Sequence, residues 1–283
     1  MGLSSLIASI VEAASNALHV TSSLSTVHRQ EGKGLADGTV LHEPASEHDV
    51  GGEDSKVRPD ECGWLRHPRI SVRPSHQGRW GGKISPSCVV WHCTDMRPNS
   101  GPALSRARAA SAGKGNGEHF VVWEDGTIIQ HTPVTRNANH AGGPGSARVN
   151  GFHVNQVSIG IELCNPGHLK LDGTDLICDD GPTRIPILGA TGDGRRGWRI
   201  PYTERQTAAV HWLCESVLPY CLTLGNRGES VALTWVGRET SAGPRYGLRH
   251  SDINPTQKTD PGPLLNTRYL HDLVWRTKTE TGL

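Results

Sequence analysis

Two segments of the chain bring together residue types that can hold a metal ion. His92 closes the apolar part of CVVWHCT (88 to 94), so a strand there delivers an imidazole to the rim of a sheet, where α/β folds gather ligands. His250 opens the second segment within RHSDINPTQKTDPGP (249 to 263). Pro255 and Pro261 fix backbone direction in that stretch and hold Lys258 and Asp260 in a stiff loop. Two imidazoles and one carboxylate supply three donors and leave a fourth position open, which is the catalytic form of zinc coordination. Cys93 adjoins His92, but strand alternation directs it to the opposite face. Most of the other histidines, out of 15 in the chain, lie in polar contexts that suit solvated side chains.

The elements that must position these residues follow from periodicity. Strands are expected at 88 to 92, 119 to 123, 127 to 130, 157 to 163 and 232 to 236, with a Glu124-Asp125-Gly126 turn joining the second to the third. A helix should begin at Thr203, with its hydroxyl as cap and Gln206 reaching back, and carry Val210, Leu213, Cys214 and Val217 on one face until Pro219 stops it. A second helix should open near Pro263 with Leu270, Leu273 and Val274 inward, and an alanine-rich third is expected at 103 to 112. Trp91 and Trp123 sit in strands and read as core. The segment from 164 to 202 is rich in Gly, Pro and Asp without core periodicity, and is expected as a surface insertion beside whatever the domain binds.

This alternation of short strands with helices predicts an α/β domain with a mixed central β-sheet flanked by helices, over residues 63–283. Residues 1–62 read as an N-terminal arm: Leu3, Leu6, Ile7, Ile10 and Val11 follow one helical face, and a polar, His- and Gly-rich tether follows. A signal peptide fits less well, because no Lys or Arg precedes the apolar stretch and Glu12 interrupts it. Charge is nearly balanced, 29 basic against 28 acidic residues for a net +1, which gives no electrostatic case for nucleic acid or an anionic membrane. No run of 18 apolar residues is present, so no transmembrane segment is expected. Seven cysteines without a C-x-x-C pair read as reduced thiols. Cys164 and Cys178 bracket one loop and could pair only in an oxidising compartment.

Six strings in order resemble the type 2 class of N-acetylmuramoyl-L-alanine amidases, which includes anhydro-muropeptide amidases, small phage lysins and the peptidoglycan recognition proteins. They are VVWHCT (89 to 94), GEHFVVWEDGTIIQHTP (117 to 133), NHAG (139 to 142), VSIGIELCNPG (157 to 167), YTERQTAAVHWLCESVL (202 to 218) and the segment from 249 to 263. The resemblance implies zinc held by His92, His250 and Asp260, and peptidoglycan as the substrate. It implies Glu162 as the base and Lys258 as the oxyanion partner. Glu118 stands where related lysins carry a catalytic tyrosine and could share the base role. The resemblance also implies His140, Thr94 and His119 as groove-lining or orienting residues. The expected activity is hydrolysis of the amide between the muramic acid lactyl group and L-alanine by a soluble wall-degrading enzyme, in a host cytoplasm or on a virion. The arm would then attach it to a larger assembly such as a phage particle. The alternative is a non-catalytic wall-binding module that keeps the fold; the presence of Asp260, the ligand that such modules typically lack, favours the enzyme.

Overall fold

A computed structural model describes residues 56–74, 81–94, 117–141, 146–167, 169–172, 175–178, 181–186, 191–192, 198–222, 230–235 and 238–283. The strands in chain order are β1 (Ile70–Val72), β2 (Cys88–Cys93), β3 (Phe120–Val122), β4 (Ile128–Gln130), β5 (Arg148–Val149), β6 (Phe152–His153), β7 (Ser158–Leu163), β8 (Leu169–Asp172), β9 (Asp175–Cys178), β10 (Gly181–Pro186), β11 (Thr191–Gly192), β12 (Trp198–Arg199), β13 (Ser230–Trp235), β14 (Arg238–Pro244) and β15 (Leu248–Arg249). The helices are α1 (Glu204–Trp212), α2 (Leu218–Cys221), α3 (His250–Ile253) and α4 (Thr267–Thr281). The expected N-terminal helix, the tether as far as residue 55, and the alanine-rich helix at 103 to 112 lie outside the described residues. No helix among the described residues is long and apolar enough to cross a membrane.

The central sheet has the order β1-β4-β3-β7-β2-β15. It is mixed: β3 and β4 form an antiparallel hairpin, while β3, β7, β2 and β15 run parallel. The hairpin turn is the one expected, with Gly126 at φ +87° and Asp125 accepting from the Thr127 amide at 2.9 Å. Alternation along β2 and β7 divides the sheet into two faces. Val89, Trp91, Ile159, Ile161 and Leu163 face one way and pack with Val210, Leu213, Val217, Leu270, Leu273 and Val274 from α1, its continuation and α4. Cys88 and Val90 face the other way, into a smaller cluster with Ala141, Val149, Val154, Leu248 and Ile253. Trp91 is fully buried in the larger core, and its indole donates to the Tyr246 carbonyl at 2.9 Å.

Three expectations change on contact with the structure. The Thr203 hydroxyl does cap α1, accepting from the Gln206 amide at 3.0 Å, but the Gln206 side chain does not reach back. It crosses to the sheet, where its amide nitrogen donates to the carbonyls of Val122 and Cys164, each at 3.0 Å. Pro219 does not end the helix. A wide π-type turn over Leu213–Val217 absorbs the break, and Pro219 then sits in the first turn of α2, where its missing N–H leaves no ladder bond unmade. The second helix starts at Thr267 rather than near Pro263, capped by the Asn266 side chain.

The stretch from 164 to 202 is more ordered than its composition suggests. It forms a five-stranded antiparallel sheet, β10-β9-β8-β12-β11, in which Leu169 and Leu176 are fully buried. The packed unit also takes in residues ahead of position 63. Val57 is buried in the main core and its amide donates to the Ser216 carbonyl at 2.9 Å, while Asp60 accepts from the amides of Cys62 and Trp64. A single apolar anchor in a polar stretch carries no periodicity to read.

Gln206 ties a helix to two neighbouring carbonyls, and since Val122 also accepts from the Cys164 amide at 2.9 Å, Gln206→Ala removes the side-chain donor from both but leaves Val122 its backbone donor. The variant should lose about 1 to 3 kcal/mol of stability, the scale of one buried group left unsatisfied. Urea unfolding measures this, and a loss below about 0.5 kcal/mol would show that these bonds carry little.

Candidate metal centre

His92 stands next to last in β2, on the face of Val90. The parallel register of β15 against β2 sets Leu248 beside Val90 and Arg249 beside Trp91. The next residue, His250, therefore emerges beside His92 as the chain turns into α3. That turn is held by Arg249, whose amide and guanidinium both engage the Asp252 carboxylate, at 2.9 and 2.8 Å. Asp260 returns on the following loop. The Lys258 amide donates to the Asn254 carbonyl at 3.0 Å, and the Ser251 amide donates to the Asp260 carbonyl at 3.1 Å.

Three donor atoms meet. His92 Nδ1 lies 3.0 Å from His250 Nδ1 and 3.4 Å from Asp260 Oδ2, and His250 Nδ1 lies 3.1 Å from that same oxygen. All three residues are buried, at 1%, 6% and 4% exposure. A tetrahedral zinc ion with bonds of about 2.0 to 2.1 Å separates its ligand atoms by about 3.3 Å, so the triangle fits three of its corners. The donor chemistry fits as well, because lone pairs facing one another in a dry site repel unless a cation lies among them. Burial alone would raise the Asp260 carboxyl, but the neighbouring His250 and His92 imidazoles outweigh it and hold the group below the usual carboxylate range. Burial draws the His92 imidazole down to about 4, against the pull of Asp260. Both residues thus favour the deprotonated forms that bind metal.

The remaining expected site residues divide. Glu162 lies on β7 directly across from His92 in the β2–β7 register, on the same face. Lys258 is half-buried, and its charge is among those that lower the His92 imidazole. Glu118 is buried just ahead of β3. Glu124, Glu162, Glu118 and Asp125 all add to burial in raising the Cys164 thiol. Cys164 itself is a free, buried cysteine.

The three residues expected to line or orient the substrate are occupied otherwise. His119 is fully buried. Its Nδ1 accepts from the Gly160 amide at 3.0 Å and its Nε2 donates to the Arg136 carbonyl at 2.9 Å, leaving no ring nitrogen for a substrate. His140 is also buried and sits behind the metal centre, with Nδ1 3.0 Å from His92 Nε2 and Nε2 3.0 Å from Ser158 Oγ. The Thr94 hydroxyl latches the end of β2 to Asn165, accepting from its amide at 3.2 Å and reaching its carbonyl at 3.3 Å. Sequence reading passed over Ser158 and Gly160. The signal was there, because Ser158, Gly160 and Glu162 alternate along β7 on the same face as His92.

The family model described as N-acetylmuramoyl-L-alanine amidase matches residues 82–263, well over half of the chain and all three donors. The chain belongs to that amidase family. Solved amidase structures resemble it at low identity. LysCS, an endolysin N-acetylmuramoyl-L-alanine amidase from Clostridium intestinale, is 18% identical over 73% of this chain and 95% of its own, with a TM-score of 0.41. The amidase AmiD from E. coli, solved with anhydro-N-acetylmuramic acid-L-Ala-D-gamma-Glu-L-Lys, is 21% identical over 76% of this chain and 65% of its own, with a TM-score of 0.42. The catalytic domain of XlyA reaches 30% identity over 34% of this chain and 60% of its own, with a TM-score of 0.27. No curated protein matches the chain by sequence.

His119 makes stability depend on pH. Burial pushes its imidazole down to about 4, against the bond to the Arg136 carbonyl. Between the ordinary value near 6.5 and about 4, the unfolded chain takes up a proton that the folded amidase refuses. Stability is therefore full above that window and falls as pH drops through it, by about 2 to 3 kcal/mol from this residue at pH 4.5. Urea unfolding of metal-free protein at pH 7 and 4.5 should show a smaller loss in His119→Gln than in the parent. An identical loss in both would remove His119 as the cause.

Proposed function

We propose that the chain is a zinc-dependent N-acetylmuramoyl-L-alanine amidase that cuts peptidoglycan between the muramic acid lactyl group and L-alanine. The observation that carries this reading is the buried His92, His250 and Asp260 triangle with Glu162 register-paired to His92. An amide is a poor electrophile with a poor leaving group, so its hydrolysis needs a strong nucleophile, a stabilised oxyanion and a proton for the departing nitrogen. His92, His250 and Asp260 would hold a zinc ion, which would supply Lewis acidity toward the scissile carbonyl and the attacking water.

The chain's own residues supply the rest. The Glu162 carboxylate accepts the proton from the attacking water and passes it to the L-alanine nitrogen as the bond breaks. Register favours Glu162 over Glu118. Glu162 neighbours His92 across one strand spacing of about 4.8 Å, whereas Glu118 precedes Val121, the β3 partner of Glu162, by three residues, or about 10 Å along the strand. The Lys258 ammonium, half-buried on the ligand loop, stabilises the negative charge that grows on the carbonyl oxygen.

Purified bacterial sacculi provide the test. The protein should carry one zinc per chain and release new L-alanine amino termini without new reducing ends, and a chelator should stop the release until zinc is restored. Glu162→Gln should lower kcat at least about 100-fold with zinc content and KM unchanged, and Lys258→Met by about 100- to 1,000-fold. New reducing ends alone would sink the amidase reading. Wall binding that survives chelation without any cleavage would point instead to a non-catalytic module.

A further inference from the structure

The structure uses both ring nitrogens of His92. Nδ1 faces His250 and Asp260, and Nε2 faces His140 Nδ1 at 3.0 Å. Behind His140 the chain of contacts continues, since its Nε2 lies 3.0 Å from Ser158 Oγ and that hydroxyl donates to the Val154 carbonyl at 2.6 Å. The direction of every proton then follows from the far end. A serine hydroxyl has one hydrogen, and a carbonyl can only accept. With its hydrogen given to Val154, Ser158 Oγ can only accept from His140, so the His140 proton is on Nε2 and its Nδ1 is bare. Bare Nδ1 accepts from His92 Nε2–H, which leaves His92 Nδ1 bare and turned toward the donor triangle. The reverse order would set two hydrogen-free oxygens 2.6 Å apart and a proton on the wrong nitrogen of His92.

We infer that Ser158 and His140 fix the tautomer and ring orientation of His92, so that His140 is a positioning residue of the metal centre and not a substrate contact. The inference rests on the zinc reading above. A ligand imidazole anchored through its second nitrogen is held in the binding tautomer, and loss of such an anchor commonly weakens metal binding 10- to 100-fold.

The surroundings of His140 are built for this one position. Its ring lies across Gly160, where any Cβ would overlap it, and meets the His92 ring nearly edge-on at 83° with centroids 5.1 Å apart. Gly160 is pinned in turn by His119, whose amide donates to the Gly160 carbonyl and whose Nδ1 accepts from the Gly160 amide, both at 3.0 Å. Asn155 clamps the loop that carries His140 on both sides. Its side-chain oxygen accepts from the Ala141 amide at 2.8 Å and its side-chain nitrogen donates to Asn139 at 3.0 Å. Val154, the end of the relay, starts the short 3-10 turn Val154–Gln156 that also presents Asn155. One turn thus supplies both the terminal acceptor and the clamp.

Zinc affinity by competition with a chromophoric chelator tests the inference, together with 15N spectra of histidine-labelled protein and KM for a soluble muropeptide. His140→Ala should loosen zinc 10- to 100-fold with KM unchanged, and His140→Asn, whose amide oxygen can take the place of Nδ1, should recover part of that loss. Ser158→Ala should loosen zinc several-fold and mix the His92 tautomers, which in the parent should show the proton on Nε2. Zinc affinity within twofold of the parent in His140→Ala overturns the inference, as does a raised KM with affinity unchanged, or a parent spectrum with His92 protonated on Nδ1. If His140→Ala does not fold, Ser158→Ala and the parent spectrum decide the matter. A parent that binds no zinc removes the reading of function, while the tautomer spectrum of the metal-free protein still decides the relay.

Discussion

Three lone-pair donors are held within 3.0 to 3.4 Å of one another in a pocket that water hardly reaches. That arrangement is unfavourable for the polypeptide alone, because each group loses its hydration and two of the atoms are alike in charge character. It persists because the backbone around it leaves no alternative. The parallel pairing of β15 with β2 fixes where His250 leaves the sheet, the Arg249–Asp252 contacts fix how the chain turns there, and backbone bonds across the Asn254–Asp260 loop bring the carboxylate back. The large apolar face of the sheet, packed under α1 and α4, holds that frame rigid.

The two faces of the sheet therefore perform different tasks with the same strands. On β7, Ile159, Ile161 and Leu163 anchor the core, while the alternate positions Ser158, Gly160 and Glu162 form a row beneath and beside His92. Each member of that row is constrained by a different physical requirement. Ser158 must present an oxygen to His140, Gly160 must present no side chain at all, and Glu162 must stay half-open beside His92. A one-residue slip of β7 against β2 would exchange this row for three aliphatic side chains, so register and chemistry are fixed together.

Much of this was legible in the sequence, for reasons that also explain what was not. Strand ends and helix stripes are local patterns, and β2, β3, β4 and β7 of the main sheet, the Thr203 cap and the inward face of α4 fall where periodicity places them, whereas the short edge strands β1 and β15 were not foreseen. His92, His250 and Asp260 stood out because one ends an apolar run and two share a proline-bracketed segment. His119 and His140 were legible as candidates, but their hydrogen-bond partners were not. A sequence names a histidine without saying which nitrogen is engaged, and here both nitrogens of each ring are taken by partners 17 to 48 positions away in the chain. The insertion was missed as a sheet because its strands run only two to six residues and carry too few alternations to register as period two.

The same insertion bears on the ligand loop through its exit rather than its body. Where the chain leaves β12, the Arg199 guanidinium, 7% exposed, lies across Gly262, a position at φ +82° where any Cβ would overlap it. Its Nη2 makes a long contact of 3.5 Å to the Thr259 carbonyl. Three residues on, the Tyr202 hydroxyl donates to the Pro261 carbonyl at 2.9 Å, and between them the Ile200 carbonyl accepts from Asn165, which is latched to Thr94 at the end of β2. The four residues from 199 to 202 thus brace the loop that carries Lys258 and Asp260 on one side and the strand that carries His92 on the other. Mutual bracing of this kind ties the exit of the insertion to both sides of the donor triangle.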